Sequence, residues 1–131
     1  MFLDSSAVIA LLVGEPEAAE LERRIDEATS RLISSPIVLV EAALNLARIK
    51  KIALPAAREA VMELFTILKV QVVHITPEMG RRALEAFGQY GKGSGHPAQL
   101  NLADVFSYAC AKNYNLPLLY KGDDFSHTDL A

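Results

Sequence analysis

Four short segments rich in apolar residues, Met1 to Asp4, Arg31 to Ser34, Val70 to Ile75 and Pro117 to Tyr120, punctuate a chain otherwise built of longer amphipathic stretches. Segments of this length, bounded by Ser, Pro and Asp, predict buried strands. Between them, apolar positions recur every three or four residues, the helical period. Ser5 or Ser6 is positioned to cap a helix through Ala7–Val13 that Gly14 ends, and Pro16 opens a second helix running to about Ala28. Ser35-Pro36 reads as a cap with proline at the first helical position, so a third helix runs to about Lys50. A fourth covers Leu54-Pro55 to Leu68, a fifth Pro77 to Tyr90, and a sixth, capped by Asn101, ends near Asn113. Gly91-Lys-Gly-Ser-Gly95 is the one flexible loop in this pattern.

Strands that alternate with helices imply a parallel sheet covered by helices on both faces. In that arrangement strand ends and helix beginnings share one edge, where ligands bind. The chain sets acids against its apolar runs at four places that fall on this edge. Asp4 ends the first strand, Glu41 and Asp104 sit in the first two turns of their helices, and Asp123-Asp124 follow the fourth strand. Singly, each acid has a plain structural reading as a turn, a cap or a solvated face. Together they demand a shared counter-charge, because an ionised carboxylate beside a core costs several kcal/mol unless compensated.

Composition narrows the chemistry. The 131 residues, 51% hydrophobic and 22% charged, suffice for one domain with a single core, and no apolar run approaches the roughly 20 residues of a membrane span. Asp4 interrupts the opening apolar segment and no basic region precedes it, so a cytoplasmic location is expected rather than secretion. The one cysteine, Cys110, lies on a packed helix face, and His74, His96 and His127 have no zinc-site spacing. An all-oxygen site of several carboxylates suits Mg²⁺, or Mn²⁺, and such an ion assists phosphodiester hydrolysis. The net charge of −3 permits a nucleic-acid substrate without demanding one. Arg48 with Lys50 and Lys51, Arg81 with Arg82, Lys92 and above all Lys121, beside the last acids, are the candidate phosphate contacts.

These residues resemble the PIN-domain ribonucleases, and within them the VapC toxins of toxin–antitoxin pairs. The resemblance runs through Phe2-Leu-Asp4-Ser-Ser-Ala7, Gly14-Glu-Pro-Glu17, Glu41, His96-Pro-Ala-Gln-Leu-Asn-Leu-Ala-Asp104 and Pro117-Leu-Leu-Tyr-Lys-Gly-Asp-Asp-Phe125 with the tail to Asp129. It implies a single domain over 1–131 with a three-layer α/β/α fold and a central parallel sheet of about five strands. It also implies a Mg²⁺-dependent endoribonuclease cutting structured RNA, tRNA or ribosomal RNA, neutralised by a cognate VapB-like antitoxin that often inserts a cation into the acidic pocket. A homodimer is implied as well.

Asp4, Glu41 and Asp104 match family acids directly. For the fourth, both Asp123 and Asp124 precede Phe125; Asp124 is preferred, with Asp123 as an accessory. Asp4 and Asp104 are expected to carry most direct metal contact, with Glu41 and Asp124 holding a second ion or positioning water. Ser6 matches a hydroxyl position that holds the first aspartate, Asn45 is the polar neighbour of Glu41 one turn on, and Ala103 replaces a glycine frequent in relatives. Val38, Leu39, Leu46 and Ile49 are candidates for a groove or a dimer contact. Phosphatase and receiver-domain patterns are disfavoured: Ser6 stands where the phosphatase pattern needs a second aspartate, and the middle strand ends without a phosphate-accepting one. The competing reading is a catalytically silent PIN-like module that grips RNA or a protein.

Overall fold

The computed structural model describes residues 1–131. The strands are β1 (Phe2–Leu3), β2 (Ile33–Ser34), β3 (Gln71–Val72) and β4 (Leu118–Leu119). The helices are α1 (Ser5–Val13), α2 (Ala18–Glu27), α3 (Pro36–Lys50), α4 (Leu54–Leu68), α5 (Pro77–Tyr90) and α6 (Leu102–Asn113). All four strands are parallel, in the order β3-β2-β1-β4. The fold is the α/β architecture expected, with four strands where the resemblance implied five. The sheet ends at β3, an edge strand with both residues exposed, and the backbone leaves the ladder after Val73, whose N–H still reaches Ser34 O at 2.9 Å.

The chain moves outward from β1 through β2 to β3 and then crosses back to place β4 on the other side of β1. This reversal creates a switch point between β1 and β4, the crevice where parallel sheets bind ligands. Backbone bonds extend the β1–β4 pairing to the site: Phe2 N–H donates to Pro117 O at 2.8 Å and Asp4 N–H to Leu119 O at 3.0 Å. Helices α1 to α4 pack against one another, α5 packs on α6, and α6 lies on β1 and β4. Phe2, Leu3, Ile33, Leu118 and Leu119 are buried, so these short strands are core on both faces. No helix is long and apolar enough to cross a membrane.

Local chemistry explains most boundaries. Ser35 accepts from Val38 N–H at 3.2 Å and Pro36 supplies the first turn of α3. Asn101 and Asp104 form a reciprocal capping box at the start of α6, with bonds of 2.9 and 3.0 Å. Helix α1 departs from expectation: its cap is Asp4, not Ser5 or Ser6, and both serines lie inside the first turn. Helix α2 also begins later than Pro16, because Glu15-Pro16-Glu17 forms a turn closed by Ala18 N–H to Glu15 O at 2.9 Å. The glycine-rich loop is stapled at its ends, Lys92 N–H to Leu100 O and Leu100 N–H to Tyr90 O, both 2.9 Å.

Candidate active site

At the switch point a cleft of about 340 Å³ is lined by residues from five parts of the chain. Asp4, Ser5, Ser6 and Ile9 come from the end of β1 and from α1. Glu15 comes from the turn before α2, and Glu41, Asn45, Arg48 and Ile49 come from α3. Asn101 and Asp104 come from the start of α6, while Lys121 and Asp124 follow β4. The 3.6-residue period sets Glu41, Asn45 and Arg48 on one face of α3, at positions i, i+4 and i+7. Gly122, at φ +92°, supplies the left-handed turn that brings Asp124 round to the cleft.

Hydroxyls orient the first two acids. Asp4 is only 2% exposed. Its Oδ2 accepts from Ser6 N–H at 3.1 Å and Ser6 Oγ at 2.7 Å, and its Oδ1 accepts from Ser107 Oγ at 2.7 Å. Ser6 Oγ in turn accepts from Lys121 N–H at 3.0 Å, which ties the end of β4 to the end of β1. Ser5 Oγ donates to Glu41 Oε1.

The cleft concentrates negative charge in a poorly solvated place. Burial pushes the Asp104 carboxyl up to about 7, opposed by the Asn101 N–H and reinforced by Asp4, Asp124 and Glu41. Burial also raises Glu41, with Asp4 adding to it, while the Ser5 hydroxyl pulls the other way. These shifts come from burial first and from the neighbouring carboxylates second. No three acidic groups close into a ready-made metal cage. The donor set is nevertheless all oxygen, with no thiol or imidazole lining it, and fits a hard divalent cation such as Mg²⁺ or Mn²⁺.

A family model described as PIN domain matches residues 1–130. The chain belongs to the PIN-domain family. Relatives place it with the VapC type. A VapC ribonuclease of Rhizobium meliloti (strain 1021) is 44% identical over 139 residues, covering 98% of each chain. Ribonuclease VapC42 of Mycobacterium tuberculosis is 36% identical over 130 residues, covering 99% of this chain and 96% of its own. Two solved structures share the fold. One is M. tuberculosis VapC20, described as a sarcin–ricin-loop-cleaving toxin, with a TM-score of 0.74 at 21% identity over 95% of this chain and 92% of that one. The other is a toxin–antitoxin complex from Klebsiella pneumoniae, with a TM-score of 0.68 at 18% identity over 98% and 92%.

In this PIN domain, Asp4, Glu41, Asp104, Asp124, Ser6, Asn45 and Lys121 all line one cleft. Asp123 does not; both final acids are exposed, but Asp123 stands outside the cleft, and its carbonyl caps the following turn by accepting from Ser126. Lys121 is not a free cation, because its ammonium pairs with Glu15 and lies 3.8 Å from Glu17, contacts that raise its pKa. Among the basic clusters, Arg48 alone joins it in the cleft; Lys50, Lys51 and Lys92 lie elsewhere and Arg81 pairs with Glu78. Val38 and Leu46 are core residues and unavailable as a groove, whereas Val40 and Leu44 are 58% and 53% exposed. With Pro36 and Ile37 they form an apolar shelf beside Glu41.

Sequence reasoning missed Ser107, Ser5 and the latch made by Glu15. The signal for Ser107 was present: a hydroxyl inside the buried run Val105 to Ala111, one turn beyond Asp104.

The PIN-domain cleft also depends on the anchor behind its last acid. Phe125 is 1% exposed and packs on Tyr120 with ring centroids 5.2 Å apart. Phe125→Ala should cost about 3–5 kcal/mol of stability. Because Asp124 hangs from this anchor, hydrogen exchange should accelerate first in the 121–128 turn. Unchanged thermal stability would contradict this account.

Proposed function

We propose that this chain is a metal-dependent endoribonuclease toxin that hydrolyses phosphodiester bonds in structured RNA, tRNA or ribosomal RNA, and is held inactive by a cognate VapB-like antitoxin. One observation carries the reading. Asp4, Glu41, Asp104 and Asp124, from four separate segments, line a single cleft at the switch point of a parallel sheet, and the pKa values of Asp104 and Glu41 among them are raised. The VapC ribonucleases it matches over nearly the whole chain support the same activity.

Asp4 and Asp104 would hold Mg²⁺, or Mn²⁺, with Glu41 and Asp124 completing its surroundings. When bound, the ion supplies charge neutralisation and an acidified water. The chain's own groups do the rest. Ser6 keeps the Asp4 carboxylate in place, while Glu41, with Oε1 taken by Ser5 and a raised proton affinity, orients water and takes its proton at Oε2. Lys121 reaches phosphate only by leaving Glu15. An antitoxin cation entering among Asp104, Glu41 and Asp124 would offset their negative charge. The Klebsiella toxin–antitoxin complex, which shares this fold, is consistent with such a partner. Homodimerisation and a cytoplasmic location belong to the same proposal.

Arg48 makes no ion pair within 4.0 Å, although it borders an acidic cleft. That leaves it as the cation ready for RNA phosphate. Arg48→Ala should raise KM about tenfold with little change in kcat. It should also make the salt dependence of RNA binding shallower by about 0.7, the slope for one phosphate that the protein no longer neutralises. An unchanged salt slope would remove Arg48 from the interface. For the activity itself, RNA ends are sequenced after a brief pulse of expression, with Asp4→Asn as control. New ends that depend on Asp4 support the nuclease, whereas RNA binding without new ends favours the silent module.

A further inference from the structure

The buried hydroxyl of Ser107 is spent in an unusual way. A serine within a helix ordinarily bonds back to a carbonyl of the preceding turn or faces solvent. Ser107, in α6 and 2% exposed, does neither; its Oγ donates at 2.7 Å to Oδ1 of Asp4, 103 positions away in sequence. The bond joins α6, which also carries Asp104, to the end of β1. Asp4 Oδ2 already receives two donors from Ser6, at 3.1 and 2.7 Å. An ionised carboxylate offers about four acceptor positions, two on each oxygen. Both on Oδ2 are therefore used and one on Oδ1 is used, which leaves a single position open, on Oδ1.

We propose that Ser107 is a positioning residue for the reaction, clamping the Asp4 carboxylate from the buried side so that it presents one Oδ1 position to a divalent cation. Ser6 alone holds only one oxygen and leaves the carboxylate free to rotate about its Cβ–Cγ bond. Ser107 removes that freedom before any ion arrives, as outer hydrogen-bond partners of metal-binding carboxylates do elsewhere. Because Ser107 and Asp104 share one helix, the same bond sets the spacing between the two acids expected to contact the ion. The inference rests on the metal-dependent reading above and adds a residue to it.

The test measures Mn²⁺ binding to the full chain by electron paramagnetic resonance without RNA, alongside cleavage kinetics and thermal stability. Ser107→Ala should weaken Mn²⁺ binding about tenfold or more, the range seen when such outer partners are removed. It should lower kcat by a similar factor while KM for RNA stays within about twofold. Ser107→Thr, which keeps the hydroxyl, should restore most of both. Mn²⁺ affinity unchanged in Ser107→Ala, or activity lost only in step with thermal stability, would overturn the positioning role while leaving the parent reading intact. A wild-type chain that binds no Mn²⁺ would overturn both.

Discussion

Asp4→Asn is expected to reduce RNA cleavage by about a thousandfold or more while the protein stays folded. A loss of that size corresponds to roughly 4 kcal/mol of transition-state stabilisation, within the range supplied by a well-placed metal ligand. The structural half follows from the contacts. Asparagine caps helices as well as aspartate does, so α1 keeps its first turn. The amide oxygen can still accept from Ser6, and the Ser107 hydroxyl can rotate to accept from the amide nitrogen if that end faces it. Removing the charge also relieves Asp104 and Glu41, both of which Asp4 pushes upward. Thermal stability should therefore hold or rise at pH 8. Asp104→Asn should behave alike, since its amide oxygen can replace the carboxylate as acceptor for Asn101 N–H. Metal-dependent cleavage retained in both variants would sink the assignment of the cleft.

Chelator-treated protein is expected to lose stability as pH rises from about 4 to about 7, the reverse of ordinary acid sensitivity. The sign follows from Asp104. Its carboxyl titrates near 7 in the folded chain, against 3.8 for a free carboxyl. Between those values the folded state binds more protons than the unfolded state, so the stability gradient with pH is negative. The contribution is fully present below about 4 and gone above about 7. Three pKa units correspond to roughly 4 kcal/mol as an upper bound, or on the order of 10 °C in melting temperature for a domain of this size. Glu41, also raised, adds to the same slope. Differential scanning calorimetry from pH 4 to pH 8 reads the slope directly. Asp104→Asn should flatten it, and Mg²⁺ or Mn²⁺ should raise the melting temperature most at the alkaline end. A chelated protein whose stability is flat or increases over this interval would show that Asp104 is not held in an ion-starved, buried cleft.

Much of the fold was legible because its signals are local. Ser35-Pro36 announced α3, Asn101 with Asp104 announced α6, and Pro77 began α5; each cap acts on N–H groups two or three positions away, so the sequence neighbourhood contains the whole interaction. The start of α1 was misplaced because three adjacent residues, Asp4, Ser5 and Ser6, can all cap. The choice fell to Asp4 once Leu119 O held its N–H in the ladder and its side chain accepted from Ser6 N–H, while Ser5 was taken by Glu41. The β3 segment was overextended, since Val70 to Ile75 has a strand's composition throughout but only a sheet edge to pair with.

The sequence by itself determined the alternation of strands and helices, the placing of Asp4, Glu41, Asp104 and the final acids at one sheet edge, and the oxygen-only chemistry of that edge. These follow from periodicity, capping and residue type, which need no partner distant in the chain. Tertiary structure alone decided that Asp124 rather than Asp123 lines the cleft, that Lys121 is latched to Glu15, and that of the two cations in the cleft Arg48 is the one without an ion pair. It also decided that a serine in α6 grips the carboxylate at the end of β1. Each of these depends on how segments far apart in sequence come together around the end of β1, and no local pattern encodes which of two neighbouring side chains will border the cleft.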